Sequence, residues 1–311
     1  MKLRELYIIG PPRSGTTLLA HLVGGGQSVL SFSEPYLCYS IMPPWQLNRF
    51  FYRFEKSAGL QRRRPPFRGD AQQFAGFLRR LASDNGFRYL AVKETYRYKG
   101  LTPIWHNGPL LDRVVAGTDP VVALIRHPYD IAASTIKLCR WVIGLPGRII
   151  RLRLPNLCGF SSATEVVRWA ADNWVAYVNW ARRHGLNLLR YEDFVADPRR
   201  ELQAICTAVG WPFAESMLDG QRRRAAFGGL GDLGVLMKPR PVDRKSVGHG
   251  QRLNDAQRHI VREACHALAH EFDYTLDETP ARVRGGHDAI GITTMLGALA
   301  RRLTPRPVRP H

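Results

Sequence analysis

The chain has 311 residues, with 45 Lys+Arg against 26 Asp+Glu and a formal net charge of +19, and all but seven of its basic residues are arginine. Hydrophobic residues make up 45% and charged residues 23%, a globular composition that excludes a disordered basic tail protein. The charge predicts a surface attractive to phosphates, sulfates, nucleic acid or anionic lipid, and composition does not choose among them. Along the chain, four short apolar runs read as buried parallel strands: Leu6–Ile9, Tyr89–Val92, Val121–Ile125 and Leu188–Leu189. Helical patterns separate them. Thr17–Val23 follows the first strand, Ala71–Ala82 precedes the second, and Pro128–Leu138 opens on a proline suited to a first helical turn. Ser162-Ala-Thr-Glu165 reads as a capping box ahead of a long helix to about His184 and Gly185. Asp197-Pro198 starts a helix that Gly210 stops, and Asn254 caps another that runs to about Phe272.

Strands alternating with helices predict an α/β fold with helices on both faces of a parallel sheet, and ligands at the carboxyl ends of its strands. Two segments break the rhythm and read as loops of lid or binding type: Cys38–Asp70, rich in Pro, Arg and aromatics, and Trp141–Phe160. Beyond about Asp277 the chain is Pro- and Arg-rich, with one apolar stretch, Ile290–Leu303, of possible amphipathic helix length. The five cysteines (Cys38, Cys139, Cys158, Cys206, Cys265) are scattered and form no C-x-x-C pair, which disfavours a disulfide framework or zinc knuckle and fits a cytoplasmic protein. No run of about 18 apolar residues occurs, so no spanning helix is expected.

The first strand ends in Gly10-Pro11-Pro12-Arg13-Ser14-Gly15-Thr16-Thr17 and enters a helix, the context in which backbone N–H groups converge on an anion. Against G-x-x-x-x-G-K-[ST] it matches at Gly10, Gly15 and Thr17, but Thr16 stands where a nucleotide-triphosphatase has lysine. The basic group sits instead at Arg13. The third strand leads into Arg126-His127-Pro128-Tyr129-Asp130, and Ser134 lies about two helical turns further on. Arginine suits forked phosphate contact and the serine hydroxyl can donate beside it, so the two loops together describe a ligand with two separate phosphate groups.

With these residues the chain resembles the PAPS-dependent sulfotransferases, whose donor is 3′-phosphoadenosine-5′-phosphosulfate. Gly10–Thr17 looks like their 5′-phosphosulfate loop and Arg126–Ser134 like their 3′-phosphate motif. Tyr191-Glu192-Asp193-Phe194 with Asp197-Pro198 resembles their Y-E-D-L…D-P stretch, and Lys93 stands at their "K-x-P" lysine, although Glu94-Thr95 follows it here. Arg244-Lys245-Ser246-Val247-Gly248-His249 resembles the late basic loop that folds over the donor, without its usual tryptophan. The match spans roughly residues 5–275. It implies a three-layer α/β/α fold with a central parallel sheet of the P-loop-NTPase-like sulfotransferase type, in a domain over 1–278. The inserts 38–70 and 141–160 would be acceptor-side lids, and 279–311 a basic tail.

The resemblance implies an in-line sulfuryl transfer to an acceptor hydroxyl, on a sugar, lipid-linked alcohol, phenol or peptide tyrosine. No metal ion is expected, because side-chain cations and backbone N–H groups can stabilise the singly charged group in transfer. Donor contacts are expected from Pro12, Arg13, Ser14, Gly15, Thr16, Thr17, Arg126, Ser134, Tyr191, Arg244 and Lys245, with Arg13 and Lys93 acting on the leaving phosphate. Glu34, in Ser33-Glu34-Pro35 after the first helix, matches the glutamate base of one branch of the family, which includes tyrosylprotein and several bacterial sulfotransferases. Glu34 would otherwise be a solvated carboxylate or an ion-pair partner of an arginine; Glu94 is the rival base, with His106 and His127 behind it. Two other functions compete: a P-loop kinase or hydrolase, against which the missing lysine counts, and a non-catalytic polyanion or nucleic-acid binding module, which explains the charge but not two phosphate motifs at strand ends.

Overall fold

Strand β1 (Arg4–Gly10), buried from Glu5 to Gly10, runs through the middle of the molecule. A computed structural model describes residues 3–61, 67–98, 107–117, 119–139, 160–220, 227–229 and 241–276. Around β1 lie β2 (Val29–Ser33), β3 (Tyr89–Thr95), β4 (Val121–Ile125), β5 (Leu188–Arg190) and β6 (Phe227–Gly229), in the order β5-β4-β1-β3-β2-β6. Every pairing is parallel. Side-chain alternation sends Tyr7, Ile9, Phe32 and Val92 into one apolar cluster, and Leu6, Ile8, Val29 and Ala91 into another on the opposite face. Both faces of the sheet are therefore covered, as a three-layer α/β/α fold requires.

The helices are α1 (Thr16–Val23), α2 (Pro35–Ile41), α3 (Pro44–Ala58), α4 (Ala71–Ser83), α5 (Gly108–Val115), α6 (Pro128–Cys139), α7 (Ala163–Arg183), α8 (Tyr191–Ala196), α9 (Pro198–Val209) and α10 (Asp255–Ala269). On one face α3 packs its aromatic rings on Phe32, which lies 5.7 Å from Phe51 and 5.0 Å from Phe54 between ring centroids, and Phe74 and Phe77 of α4 pack in turn on Phe51. On the other, α1 and α9 supply Leu19, Leu22, Leu202 and Ile205. The helical spacing of Trp169, Trp174, Tyr177 and Trp180 on α7 predicts core residues; Trp174, Tyr177 and Trp180 are buried, while Trp169 is half-buried.

Three expectations are corrected. The stretch Cys38–Asp70 is mainly helical in its described part, not one long loop: the aromatics of α3 fall at helical spacing, so Leu47, Phe51 and Phe54 are buried while Trp45 and Tyr52 face outward. Strands β2 and β6 carry no continuous apolar run and add two strands to the four expected. In β2 the run is interrupted by Ser31 and Ser33, both buried, with the Ser31 hydroxyl donating to Ala20 O at 3.0 Å; β6 has only three residues, two of them glycine. At α7 the Ser162 hydroxyl accepts from Glu165 N at 3.2 Å, but Glu165 reaches back to Ser161 and not to Ser162, so the box is only half formed. Complete capping boxes occur instead at Asp70 and Asn254. The segment Trp141–Phe160, apart from Phe160 itself, and Ile290–Leu303 lie outside the described residues.

Sheet order places the site. The connection from β1 leads to β2 on one side, and that from β4 leads to β5 on the other. The carboxyl ends of β1 and β4 thus border the point where the winding reverses, where open α/β sheets form their ligand crevice.

Candidate active site

The loop between β1 and α1 is shaped by its backbone. Arg13 stands at φ 70° and Gly15 at φ 95°, both in the left-handed region. A Cβ on Gly15 would lie 2.3 Å from the Tyr191 ring, so only glycine fits there. The Ser14 hydroxyl donates to Pro11 O at 2.8 Å, folding the turn onto itself. Helix α1 starts without a side-chain cap or an acidic residue in its first turn, which suits its N-terminal amides to an anion. Ser14, Thr16 and Thr17 are buried, and Pro12, Arg13 and Gly15 are half-buried.

Arg126 extends from the end of β4 into the same place. Its Nη1 donates to Arg13 O at 3.1 Å, its Nη2 to Ser246 O, and its guanidinium lies 4.5 Å from the centre of the Tyr191 ring. Its Nε is buried without a hydrogen-bond partner among the described residues. Arg13 Nε in turn donates to the Ser134 hydroxyl at 3.0 Å, linking the first loop to α6. The late basic loop closes over this group: the Tyr191 hydroxyl meets Ser246 Oγ at 2.5 Å, and the amides of Gly248 and Gly250 donate to the Asp130 carboxylate at 2.9 and 2.6 Å. The side chains of Arg244 and Lys245 face solvent, and Lys245 Nζ lies 3.7 Å from Asp243.

A second group lies at the ends of β2 and β3. Glu34 follows β2 and is buried, in a left-handed conformation at φ 57°. Lys93 Nζ, 2% exposed, donates to Glu34 Oε1 at 2.6 Å; the Thr95 hydroxyl donates to the same oxygen; and Arg97 Nη2 lies 3.2 Å from Oε2. Burial alone would raise the Glu34 pKa, but Lys93 and Arg97, with the bonds from Lys93 and Thr95, outweigh it and hold the carboxyl well below the usual range. Glu94 points the other way. Burial first, then the charge of Glu34, push its pKa up to about 8 against the opposing Tyr36 amide.

His127 is engaged through both ring nitrogens, with Tyr129 N donating to Nδ1 and Thr275 O 3.3 Å from Nε2, and burial lowers its pKa. His106 lies outside the described residues. Among the described residues no group of three or more His, Cys, Asp or Glu is placed to hold a metal ion, and no helix is long and apolar enough to cross a membrane.

No family model matches the chain. It is 26% identical over 267 residues to nodulation protein NoeE of Sinorhizobium fredii (strain NBRC 101917 / NGR234), a match covering 78% of this chain and 58% of that protein. The chain thus spans little more than half the length of that relative. Its structure is similar to the sulfotransferase domain from the Synechococcus PCC 7002 olefin synthase, with a TM-score of 0.58 and 19% identity over 89% of this chain and 97% of that one. It is similar, too, to the sulfotransferase domain from the curacin biosynthetic pathway, with a TM-score of 0.51 and 19% identity over 89% and 99%. The chain thus has the fold of these sulfotransferase domains.

Within this sulfotransferase fold, the residues singled out from the sequence fall into two groups at neighbouring strand ends. Arg13, Ser134, Arg126 and Tyr191 meet on the β1–β4 side, and Glu34 meets Lys93 on the β2–β3 side. Thr95 and Arg97 were not anticipated. Their signal is the alternation Lys93-x-Thr95-x-Arg97, which puts all three on one side of an extended chain. Asp130, quoted only as a motif letter, proves to be the anchor of the late loop.

Proposed function

We propose that the chain is a sulfotransferase that moves the sulfuryl group of 3′-phosphoadenosine-5′-phosphosulfate to an acceptor hydroxyl. The observation that carries this reading is the joining of Arg13, Ser134 and Arg126 across the loops after β1 and β4, in a phosphate loop without a lysine. The donor carries about four negative charges at neutral pH, and bound there it supplies the sulfur–oxygen bond that breaks. The amides of Ser14–Thr17, with the hydroxyls of Thr16 and Thr17, hold its 5′ end, and Arg126 and Ser134 hold its 3′-phosphate. The bare Nε of buried Arg126 is a donor suited to that anion. Tyr191, already against Arg126, completes the wall, and the loop with Arg244 and Lys245 adds positive potential at the mouth.

Arg13 and Lys93 stabilise the departing phosphate, and Glu34 takes the acceptor proton. Held as it is, Glu34 binds a proton weakly. Drawing Lys93 Nζ from Glu34 toward the donor raises that proton affinity, so the base gains strength when the donor is present. The acceptor is an alcohol or phenol: a sugar, a lipid-linked alcohol or a peptide tyrosine all present the required hydroxyl. The same reading takes 1–278 as the catalytic domain, 38–70 and 141–160 as acceptor-side inserts, 279–311 as a basic tail, and the cytoplasm as its setting.

Transfer from ³⁵S-labelled donor to pooled glycans, lipids, phenols and peptides tests the reading. A labelled product is expected with no added metal, and Glu34→Gln should slow its formation by about 10³-fold. Absence of product from every pool sinks the proposed activity; undiminished transfer by Glu34→Gln sinks the proposed base.

A further inference from the structure

Two consecutive residues of β3 hold the turn at Glu34 from opposite sides. Alternation sends Lys93 to the face shared with α1, and Glu94 to the face shared with α2 and α4, where Val92 and Tyr96 lie in the aromatic cluster. Glu34 sits at φ 57°, ψ 46° directly before Pro35, a place where residues are ordinarily extended. It is the N-cap residue of α2, yet its carboxylate makes no cap bond, being taken up by Lys93, Thr95 and Arg97. The Tyr36 amide in the first turn of α2 donates instead to Glu94 Oε1 at 2.8 Å. Glu94 is 1% exposed, and its Oε2 has no hydrogen-bond partner among the described residues.

We propose that Glu94 is a positioning residue for Glu34, serving as the helix cap that α2 lacks and so leaving the Glu34 carboxylate to its partners across the strand. This role rests on the reading of Glu34 as the base. Glu94 performs it as a neutral acid, whose carbonyl oxygen accepts from Tyr36 while no second negative charge competes for the cations that grip Glu34. The groups facing it agree. Lys93 on β3 and Arg97 beyond it favour ionisation, while burial and Glu34 oppose it more strongly. Behind Tyr36 on α2 lie Tyr7 and Glu5 of β1 and Arg79 of α4. As a base, by contrast, Glu94 would face the apolar side of the sheet, away from the loop of Arg13.

Three full-length variants decide the matter. Glu94→Gln keeps a carbonyl acceptor but cannot ionise; Glu94→Met fills the space with no acceptor; Glu34→Gln identifies the Glu34 signal. With ¹³C-labelled glutamate carboxyls, one resonance missing from Glu94→Gln is expected to titrate near pH 8. The Glu34 resonance should stay in place in Glu94→Gln and move in Glu94→Met. In ³⁵S transfer, Glu94→Gln should remain within about threefold of the parent, and Glu94→Met should fall about 10²-fold in turnover with unchanged affinity for adenosine 3′,5′-bisphosphate. An unmoved Glu34 resonance or intact turnover in Glu94→Met overturns the role. So does a Glu94→Gln variant as inactive as Glu34→Gln, which makes Glu94 itself the proton acceptor. Should Glu94→Met unfold, the titration and turnover of Glu94→Gln decide. If the parent chain transfers nothing, the reading of Glu34 as base fails, and the carboxyl resonances alone judge whether Glu94 holds the turn.

Discussion

At the end of β1, the loop from Gly10 to Thr17 is shaped by backbone geometry, whereas at the ends of β2 and β3 the side chains of Glu34, Lys93 and Arg97 are held by charge. The first region uses a left-handed Arg13, a glycine pressed against Tyr191, and bonds to main-chain oxygens. The second buries one carboxylate and two cations within a few ångströms. Backbone shape tolerates exchange of ligands, since the cradle stays when a ligand leaves. A buried charge cluster does not: removing one member leaves the others desolvated and uncompensated.

That contrast is open to attack by mutation. The largest effect on stability is expected from Lys93→Met, which leaves Glu34 with Arg97 and Thr95 alone and should lower the free energy of unfolding by about 3 kcal/mol in urea titration at pH 7. The sign with pH follows from the direction of the Glu34 shift. Its folded pKa lies below the unfolded one, so the stabilisation is fully present above about pH 4.3 and is lost as pH falls through the folded value. The gap between parent and Lys93→Met should therefore close only in acid. Glu94 has the opposite sign. Its raised pKa gives a stability present below the unfolded value and lost progressively as pH rises toward about 8.

A smaller effect is expected on the backbone-shaped side. Arg126→Lys keeps the charge but loses the fork, and calorimetry should find adenosine 3′,5′-bisphosphate bound about tenfold more weakly, with less loss of stability than Lys93→Met. If Arg126→Lys unfolds more readily than Lys93→Met, the distinction between the two regions fails. The smallest effect belongs to Ser134→Ala, which removes one acceptor for Arg13 and should cost about 1 kcal/mol in the same binding measurement.

The two regions differed equally in how far the sequence revealed them. Gly10, Gly15 and Pro128 mark positions where the backbone admits few residues, and such positions survive as spacing in a linear string. Arg126 and Ser134 ride on one helix start and were found with them. The charge cluster has no such local mark, because Ser33 meets Lys93 only through the parallel register of β2 and β3. Glu34 was singled out by resemblance, but its burial and its three partners were not visible until the strands were paired. Strand β2 itself was missed because its serines break the apolar run, although both are buried. Helix α3 was missed for a related reason: a segment crowded with Pro, Arg and aromatics looks like a loop until the rings are counted at intervals of three and four.

The loop fixed to Asp130 bears on the order in which the molecule is made. Arg126 reaches back 113 residues to Arg13 and forward 120 residues to Ser246. A chain emerging from the ribosome completes the loop after β1 early, but Arg126 has its second carbonyl only once residue 246 has been synthesised. Contacts of such long sequence separation form slowly. The contacts that hold Arg126 are thus completed only after residue 246 has been made, and the segment from β1 to α6 cannot complete them by itself.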